Sequence, residues 1–240
     1  MVRASPLAIR IRFEDLYSGS EMATTAEFFD VIDRDDRAEL DVLLAGQPEL
    51  AADRDDDGVS AILHALYRGR RSVAERLAAA TPQLDIFDAA ALGRAGRVRE
   101  LLGVDPGLAM ARTPDGFTAL HYPAFFGGAS TVDAARALIE AGADVSARSQ
   151  NDFWVLPLHS AASGAHAEIV ELLLAAGAKP DPRQRHGWTP LHAAAQNNDA
   201  RSLEALLAAG ADPALRNDDG KSAADVARDA GHLELAASLG

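Results

Sequence analysis

The strongest constraint on this chain is a sequence pattern that recurs about every 33 residues. His159 and His192 are 33 positions apart, and the same interval separates Gly177 from Gly210. Repeats of about 20–50 residues are typical of chains built from small stacked units. One such unit cannot bury its apolar face alone, so neighbouring units must pack together to form a continuous core.

Each unit contains the same two elements. The first lies at residues 116–121, 156–162 and 187–195, and its fullest form is Gly-Trp-Thr-Pro-Leu-His-Ala-Ala-Ala. Proline suits the first position of a helix, where no backbone partner is lost, and the leucine faces the core. The second element, at residues 138–144, 173–179 and 206–212, is an apolar pair followed by a glycine that ends the helix. The spacing predicts pairs of helices joined by short hairpin loops.

These three in-phase copies resemble the ankyrin repeat, and the resemblance extends over roughly residues 24–240. It implies an all-α solenoid, one domain of about six to seven helix–loop–helix units with degenerate capping units at both ends. It also implies that the motif histidines form hydrogen bonds within and between repeats. The function that it implies is non-catalytic: a monomer that binds a partner protein through its concave face and hairpin tips, without a cofactor.

Parts of the chain depart from the pattern. Residues 1–23 are expected to be either an N-terminal extension, disordered or with its own role, or a stretch upstream of a true start at Met22. The fourth unit has about three extra residues near 129–131, and Pro123 falls one turn into its predicted first helix, where proline removes a backbone bond. The loop 149–154 is longer than its counterparts and lacks their glycine. Such departures tend to mark function or strain.

Charge and composition exclude several function classes. The chain has 23 basic and 36 acidic residues, a net charge of −13, and phosphate backbones repel such a protein, so we expect no nucleic-acid partner. The absence of cysteine excludes disulfides and thiolate chemistry. No apolar run is long enough to span a membrane, and no secretory signal is recognisable. We therefore expect no membrane partner and a cytoplasmic location, and the excess of arginine over lysine suggests a bacterial source.

Two features invite a metal or catalytic interpretation. Asp53, Asp55 and Asp57 match the start of a calcium-binding loop, but its twelfth position, which needs a bidentate glutamate, is His64. The histidines mostly belong to the repeat motif and lack the spacing of a zinc site. Neither a nucleophile elbow nor a phosphate-binding loop is present. The sequence therefore predicts no metal, no cofactor and no catalytic residue.

The aromatic residues indicate where a partner binds. Seven of the 13 lie between residues 117 and 188, mostly at motif positions that the resemblance assigns to partner contact. Exposed aromatic side chains with a polar rim are typical of binding hot spots, although we expect about half of these to be substantially buried. The predicted partner-binding residues are Phe117, Phe125, Phe126, Asp152, Phe153, Trp154, Arg185, His186, Trp188, Gln196, Asn197 and Lys221.

Two alternatives remain open at this point. Residues 22–57 contain 12 acidic and 3 basic residues, so the face formed by residues 27–57 could act as an acidic sequestering or mimic surface. The other alternative is an enzymatic or metal-dependent activity on the scaffold. A pocket that joins histidine, aspartate and a hydroxyl away from the motif histidines would favour it.

Overall fold

The computed structural model describes residues 22–239, which contain fourteen α-helices arranged as seven successive pairs. These residues hold no β-strand, only isolated bridges between Arg54 and Ser60 and between Arg112 and Thr118. The prediction of an all-α repeat fold is confirmed. Of the N-terminal extension predicted over residues 1–23, all but the last two residues lie outside the described part of the chain.

The chain divides into two compact units, and the boundary between them lies between Pro82 and Gln83. Each unit is built from helix pairs of the same kind. That residues 24–240 form a single repeat domain stays a prediction.

The first unit contains two helix pairs. Thr24 begins the first helix with a reciprocal cap: its hydroxyl accepts the N–H of Glu27, and the Glu27 carboxylate accepts the N–H of Thr24. Phe28 and Ile32 lie on the buried face of this helix. The bounds are α1 Thr25–Arg34, α2 Arg37–Gly46, α3 Ala61–Tyr67 and α4 Arg71–Ala80, with a short 3-10 turn at Pro48–Ala52 between the pairs.

The second unit contains five helix pairs and short 3-10 turns at Pro106–Met110 and Arg185–Gly187. Its helices are α5 Ile86–Ala91, α6 Ala95–Val104, α7 His121–Phe126, α8 Ala129–Glu140, α9 Pro157–Ser163, α10 Ala167–Ala175, α11 Pro190–Gln196, α12 Ala200–Ala208, α13 Ala223–Asp229 and α14 Leu233–Ser238. The first helices of successive pairs, α5, α7, α9, α11 and α13, pack side by side, and so do the second helices from α6 to α12. This stacking leaves the hairpin loops of successive pairs next to one another.

Small and large apolar side chains have different packing roles in this unit. Ala161, Ala162 and Ala194 are fully buried, so the first helices approach closely. Leu158 and Leu173 are buried between the helices and fill the interior. The alanine and leucine positions of the motif therefore have the core roles that the pattern predicts.

The irregular fourth pair differs from its neighbours at both helices. Helix α8 has 12 residues where α10 and α12 have 9, which confirms the three extra residues. The prediction that Pro123 interrupts a helix is wrong. Helix α7 begins only at His121, so Pro123 lies in its first turn, where a backbone N–H has no intrahelical partner to lose.

Candidate functional site

The hairpins of the second unit form a row that backbone hydrogen bonds hold together. The N–H of Gln150 donates to the Gly116 carbonyl at 3.1 Å, and the N–H of Arg185 donates to the Phe153 carbonyl at 3.0 Å. A third bond of 3.0 Å joins Asp218 to the His186 carbonyl. Side chains at these loop tips are therefore held on a connected edge.

A buried histidine fixes each hairpin from beneath. Nδ1 of His121 and of His159 accepts the backbone N–H three residues earlier, and the opposite ring nitrogen, Nε2, lies 3.1 Å from the Val155 and Pro182 carbonyls respectively. His192 repeats the arrangement, with Nε2 3.0 Å from the Lys221 carbonyl. Since Nδ1 accepts and a carbonyl can only accept, each ring is the neutral form protonated at Nε2. The predicted bonding of these histidines within and between repeats is confirmed.

Burial keeps these rings neutral. Desolvation lowers the pKa of His121 and of His159 to about 4, against the bonds to backbone carbonyls, which raise it. Desolvation also lowers the pKa of His192. Neutral, fully hydrogen-bonded rings support the hairpins and are not available as metal ligands or general bases.

The loop 149–155 is shaped by its own polar side chains. The Ser149 hydroxyl accepts the Val155 N–H at 2.9 Å and donates to the Asn151 side-chain oxygen at 2.8 Å. The Asn151 amide donates to the Asp115 carbonyl of the preceding hairpin at 3.2 Å. Trp154 has a φ of 56°, at the motif position where Gly116 and Gly187 have 85° and 70°. A bulky, half-exposed residue thus occupies the left-handed conformation that usually favours glycine.

A concave groove of about 330 Å³ opens beside this loop. The loop 149–155, the next hairpin and the first helices α9 and α11 form its walls. It is lined by Phe153, Val155, Ser163, Gln184, Arg185, His186, Trp188, Ala193, Gln196 and Asn197, and we call it the hairpin groove. Six of the twelve predicted partner-binding residues meet here: Phe153, Arg185, His186, Trp188, Gln196 and Asn197.

Two side chains of the hairpin groove are positioned by specific contacts. The Arg185 guanidinium lies over the Phe153 ring, 5.8 Å from its centroid. The Asn197 amide donates to the Ala162 and Ser163 carbonyls at the end of α9, at 3.1 and 2.9 Å. Asn197 therefore has a structural role in addition to the binding role that the sequence predicts.

Three more predicted residues belong to a second group, which we call the aromatic cluster: Phe87, Phe117, Tyr122, Phe125 and Phe126. The buried Tyr122 ring lies at its centre, 6.0 Å from Phe87 and 6.3 Å from Phe126, and its hydroxyl donates to Thr113 at 2.9 Å. Phe125 is 46% exposed, whereas Phe117 and Phe126 are partly buried. Of the seven aromatic residues between 117 and 188, three are exposed, three are partly buried and one is buried.

The remaining predicted residues lie outside both groups. Asp152 is exposed on the loop, and Trp154, 50% exposed, has the Arg148 guanidinium 5.9 Å from its ring centroid. Lys221 lies on the following hairpin, with Nζ 2.7 Å from a carboxylate oxygen of Asp229. The structure does not bring these three into the hairpin groove.

Sequence reasoning missed several lining residues. Ala193 in the hairpin groove and Tyr122 in the aromatic cluster both directly follow a motif histidine, so this motif position could have indicated them. Ser163 precedes the glycine that follows α9, a position that the motif also marks. Val155 lies four residues before its motif histidine, as Phe117 and Trp188 do, so this position could also have indicated it, whereas Gln184 carries no comparable signal.

The acidic residues of the first unit hold their own loop together. Asp55 accepts the N–H groups of Asp57 and Val59, and its other oxygen lies 2.9 Å from Nδ1 of His64. Nε2 of the same ring lies 2.9 Å from Asp33. Among residues 22–239, no group of three or more histidine, aspartate or glutamate side chains is arranged to hold a metal ion. Asp55 thus has a local structural role that the calcium-loop pattern did not predict.

The comparisons with known proteins concern the second unit. A family model described as ankyrin repeats, in three copies, matches residues 86–184 and also residues 158–239. No curated protein matches the chain significantly. Within the described residues, no helix is both long and apolar enough to cross a membrane.

Proposed function

Because this chain belongs to the ankyrin-repeat family, whose domains are generally protein–protein interaction modules, we propose that it binds a partner protein through the hairpin groove and the loops beside it. The observation that carries the proposal is the convergence of six predicted residues, from two neighbouring hairpins and helix α11, on one concave surface. Trp154 and Lys221, on the hairpin loops either side of the one that carries Arg185, are further candidate contacts, and so is the exposed Phe125 on α7. The proposed role involves no catalytic step, as is typical of ankyrin-repeat domains.

The chemistry of the hairpin groove suits protein recognition. Phe153 is 57% exposed although it is large and apolar, and covering it would remove apolar area from water. The polar side chains around it match the rim of known interfaces, which exclude water from a central anchor. A surface held by backbone bonds and buried histidines needs little ordering when a partner docks, and this lowers the entropic cost of binding.

The lining of the hairpin groove also weighs against a catalytic alternative. His186 and Ser163 are both present, but none of the ten lining residues is acidic. The set of histidine, aspartate and hydroxyl that would favour an enzyme is therefore not assembled there.

Site-specific cross-linking tests the proposal. A photoreactive phenylalanine analogue is placed at Phe153 and, in a control variant, at Leu233, which is 65% exposed on α14 and does not line the groove. We expect position 153 to cross-link a distinct protein in native cells and position 233 not to do so. The cross-link should disappear when unlabelled wild-type chain competes. Equal labelling from both positions, or none from position 153, would contradict a partner in the groove.

A further inference from the structure

The partner of the hairpin groove can be specified further from charge, on the assumption that the proposed function holds. The chain carries 36 acidic residues, yet the lining of the groove contains none. Its charged or titratable members are Arg185 and His186, and both are exposed at the hairpin tip. The lining of the groove thus carries no carboxylate, and Asp152, directly before Phe153 on the exposed loop, lies outside it.

Arg185 differs from the neighbouring arginines in what it contacts. Arg183 donates to the Arg216 carbonyl at 2.7 Å, and Arg201 holds both oxygens of Glu171 at 2.8 Å. The Arg185 guanidinium makes no hydrogen bond or ion pair with any other residue in the described part of the chain, and it lies over the Phe153 ring. A guanidinium held over an aromatic ring keeps its donors free for a carboxylate, which it can bind with two parallel hydrogen bonds.

The apolar and amide walls define the rest of the ligand. Phe153, Val155 and Trp188 line a volume of about 330 Å³, near the lower end of small-ligand pockets, so the groove holds one or two side chains. The Gln184 and Gln196 amides make no side-chain hydrogen bond within residues 22–239. Amides of this kind can donate to and accept from the backbone of an extended peptide.

We infer that the hairpin groove binds an extended acidic peptide segment of the partner. A large apolar side chain of this segment enters between Phe153 and Trp188, and an aspartate or glutamate close to it in sequence pairs with Arg185. Arg185 then determines specificity, while the aromatic walls supply most of the buried area. The rest of the partner contacts the adjoining hairpins.

Peptide selection on the full-length chain tests this inference. A phage-displayed library of random dodecapeptides is selected on wild type, with removal of phage that bind the Phe153→Ala variant. We expect the enriched sequences to combine a large apolar residue with a nearby aspartate or glutamate. Changing that acid to its amide in a synthetic peptide should weaken binding about tenfold or more, as for loss of a charge-assisted hydrogen bond.

Variants of the chain separate the charge from the fold. Arg185→Gln should lower the affinity for the acidic peptide about tenfold and leave the affinity for its amide version unchanged. Arg185→Lys should give an intermediate loss, since lysine keeps the charge but not the planar fork. Arg99→Gln is the matched control, because Arg99 is exposed on α6, outside the groove, and the substitution changes the net charge equally. Added salt should weaken wild-type binding more than binding by Arg185→Gln.

The outcomes distinguish this inference from the proposed function. Peptides that depend on Phe153 but lack an acidic residue would overturn the acidic class and leave protein binding at the groove intact. Equal binding of the acidic peptide by wild type and Arg185→Gln would overturn the role of Arg185. Enrichment of no Phe153-dependent peptide would overturn the inference, and the cross-link from position 153 would then decide the proposed function.

Discussion

Two neighbouring hairpins of the second unit have a left-handed backbone conformation at the same position but place different residues there. The loop 149–155 has Trp154 at the left-handed position, with a φ of 56°, and the next hairpin has Gly187 there, with a φ of 70°. Gly187 is buried, whereas half of the Trp154 surface is exposed. The conformation is common to both hairpins, so the difference lies in their surroundings.

The surroundings of the two positions differ. A Cβ atom on Gly187 would lie 2.6 Å from the Arg183 guanidinium and 2.6 Å from the Asp218 carboxylate, which are the movable ends of exposed side chains, and 3.2 Å from the Asp218 backbone nitrogen. Trp154 lies on a longer loop that Ser149 and Asn151 hold in shape, and its side chain points into open surroundings beside Arg148. An aromatic residue in this conformation costs on the order of 1 kcal/mol of stability. The loop 149–155 therefore carries a large side chain at a position where glycine would make the fold more stable.

The largest expected effect tests a feature that both hairpins share, the neutral histidine beneath them. Burial lowers the pKa of His121 and His159 from 6.5 to about 4, so the folded state binds fewer protons than the unfolded state. Their contribution is complete above about pH 6.5 and is lost as the pH falls towards 4, by up to about 3 kcal/mol for each ring. Urea unfolding across this range should show a smaller acid loss for His121→Gln and His159→Gln than for wild type. The exposed His186→Gln variant is the control, and an unchanged acid loss in the two buried variants would show that the hairpins do not rest on neutral rings.

The next effect concerns the crowded hairpin. Gly187→Ala should lower the free energy of unfolding by about 1–2 kcal/mol, mainly because alanine is strained at a φ of 70°, with a smaller contribution from the shift of the Arg183 and Asp218 side chains. Urea unfolding at neutral pH measures the change. A loss below about 0.5 kcal/mol would mean that the hairpin relaxes around the added methyl group. The two loops would then differ little in the room they leave for a side chain at this position.

The smallest effect concerns the open hairpin. Trp154→Gly should be about 1 kcal/mol more stable than Trp154→Ala. Both variants lose the ring, but only glycine adopts a φ of 56° without strain. Comparing the two variants with each other, rather than with wild type, removes the contribution of the indole contacts. If alanine proved as stable as glycine, the backbone at residue 154 would carry no strain.

The extent of prediction from sequence differs between the scaffold and the surface. The alanine, leucine and histidine positions of the motif were predicted correctly because each has one packing or bonding role that recurs in the repeats that carry the motif. The place of Pro123 was predicted wrongly because the pattern fixes where a helix should begin, not where α7 does begin. For the surface, Phe153 and Trp188 were identified, whereas Gln184 was missed, since the contacts of neighbouring hairpins determine which side chains meet. Val155 was also missed, although it occupies the motif position of Trp188.

The backbone hydrogen bonds between neighbouring hairpins join the separate loops into one continuous edge. Each bond joins a hairpin to the next, as the Arg185 N–H joins the Phe153 carbonyl. Inserting a whole repeat would lengthen this edge by one tip. The irregular fourth pair shows that extra residues within a repeat are tolerated, because the loop 149–155 after it remains bonded to the hairpins on both sides. A partner that contacts two hairpins must therefore match the distance between their tips as well as their side chains.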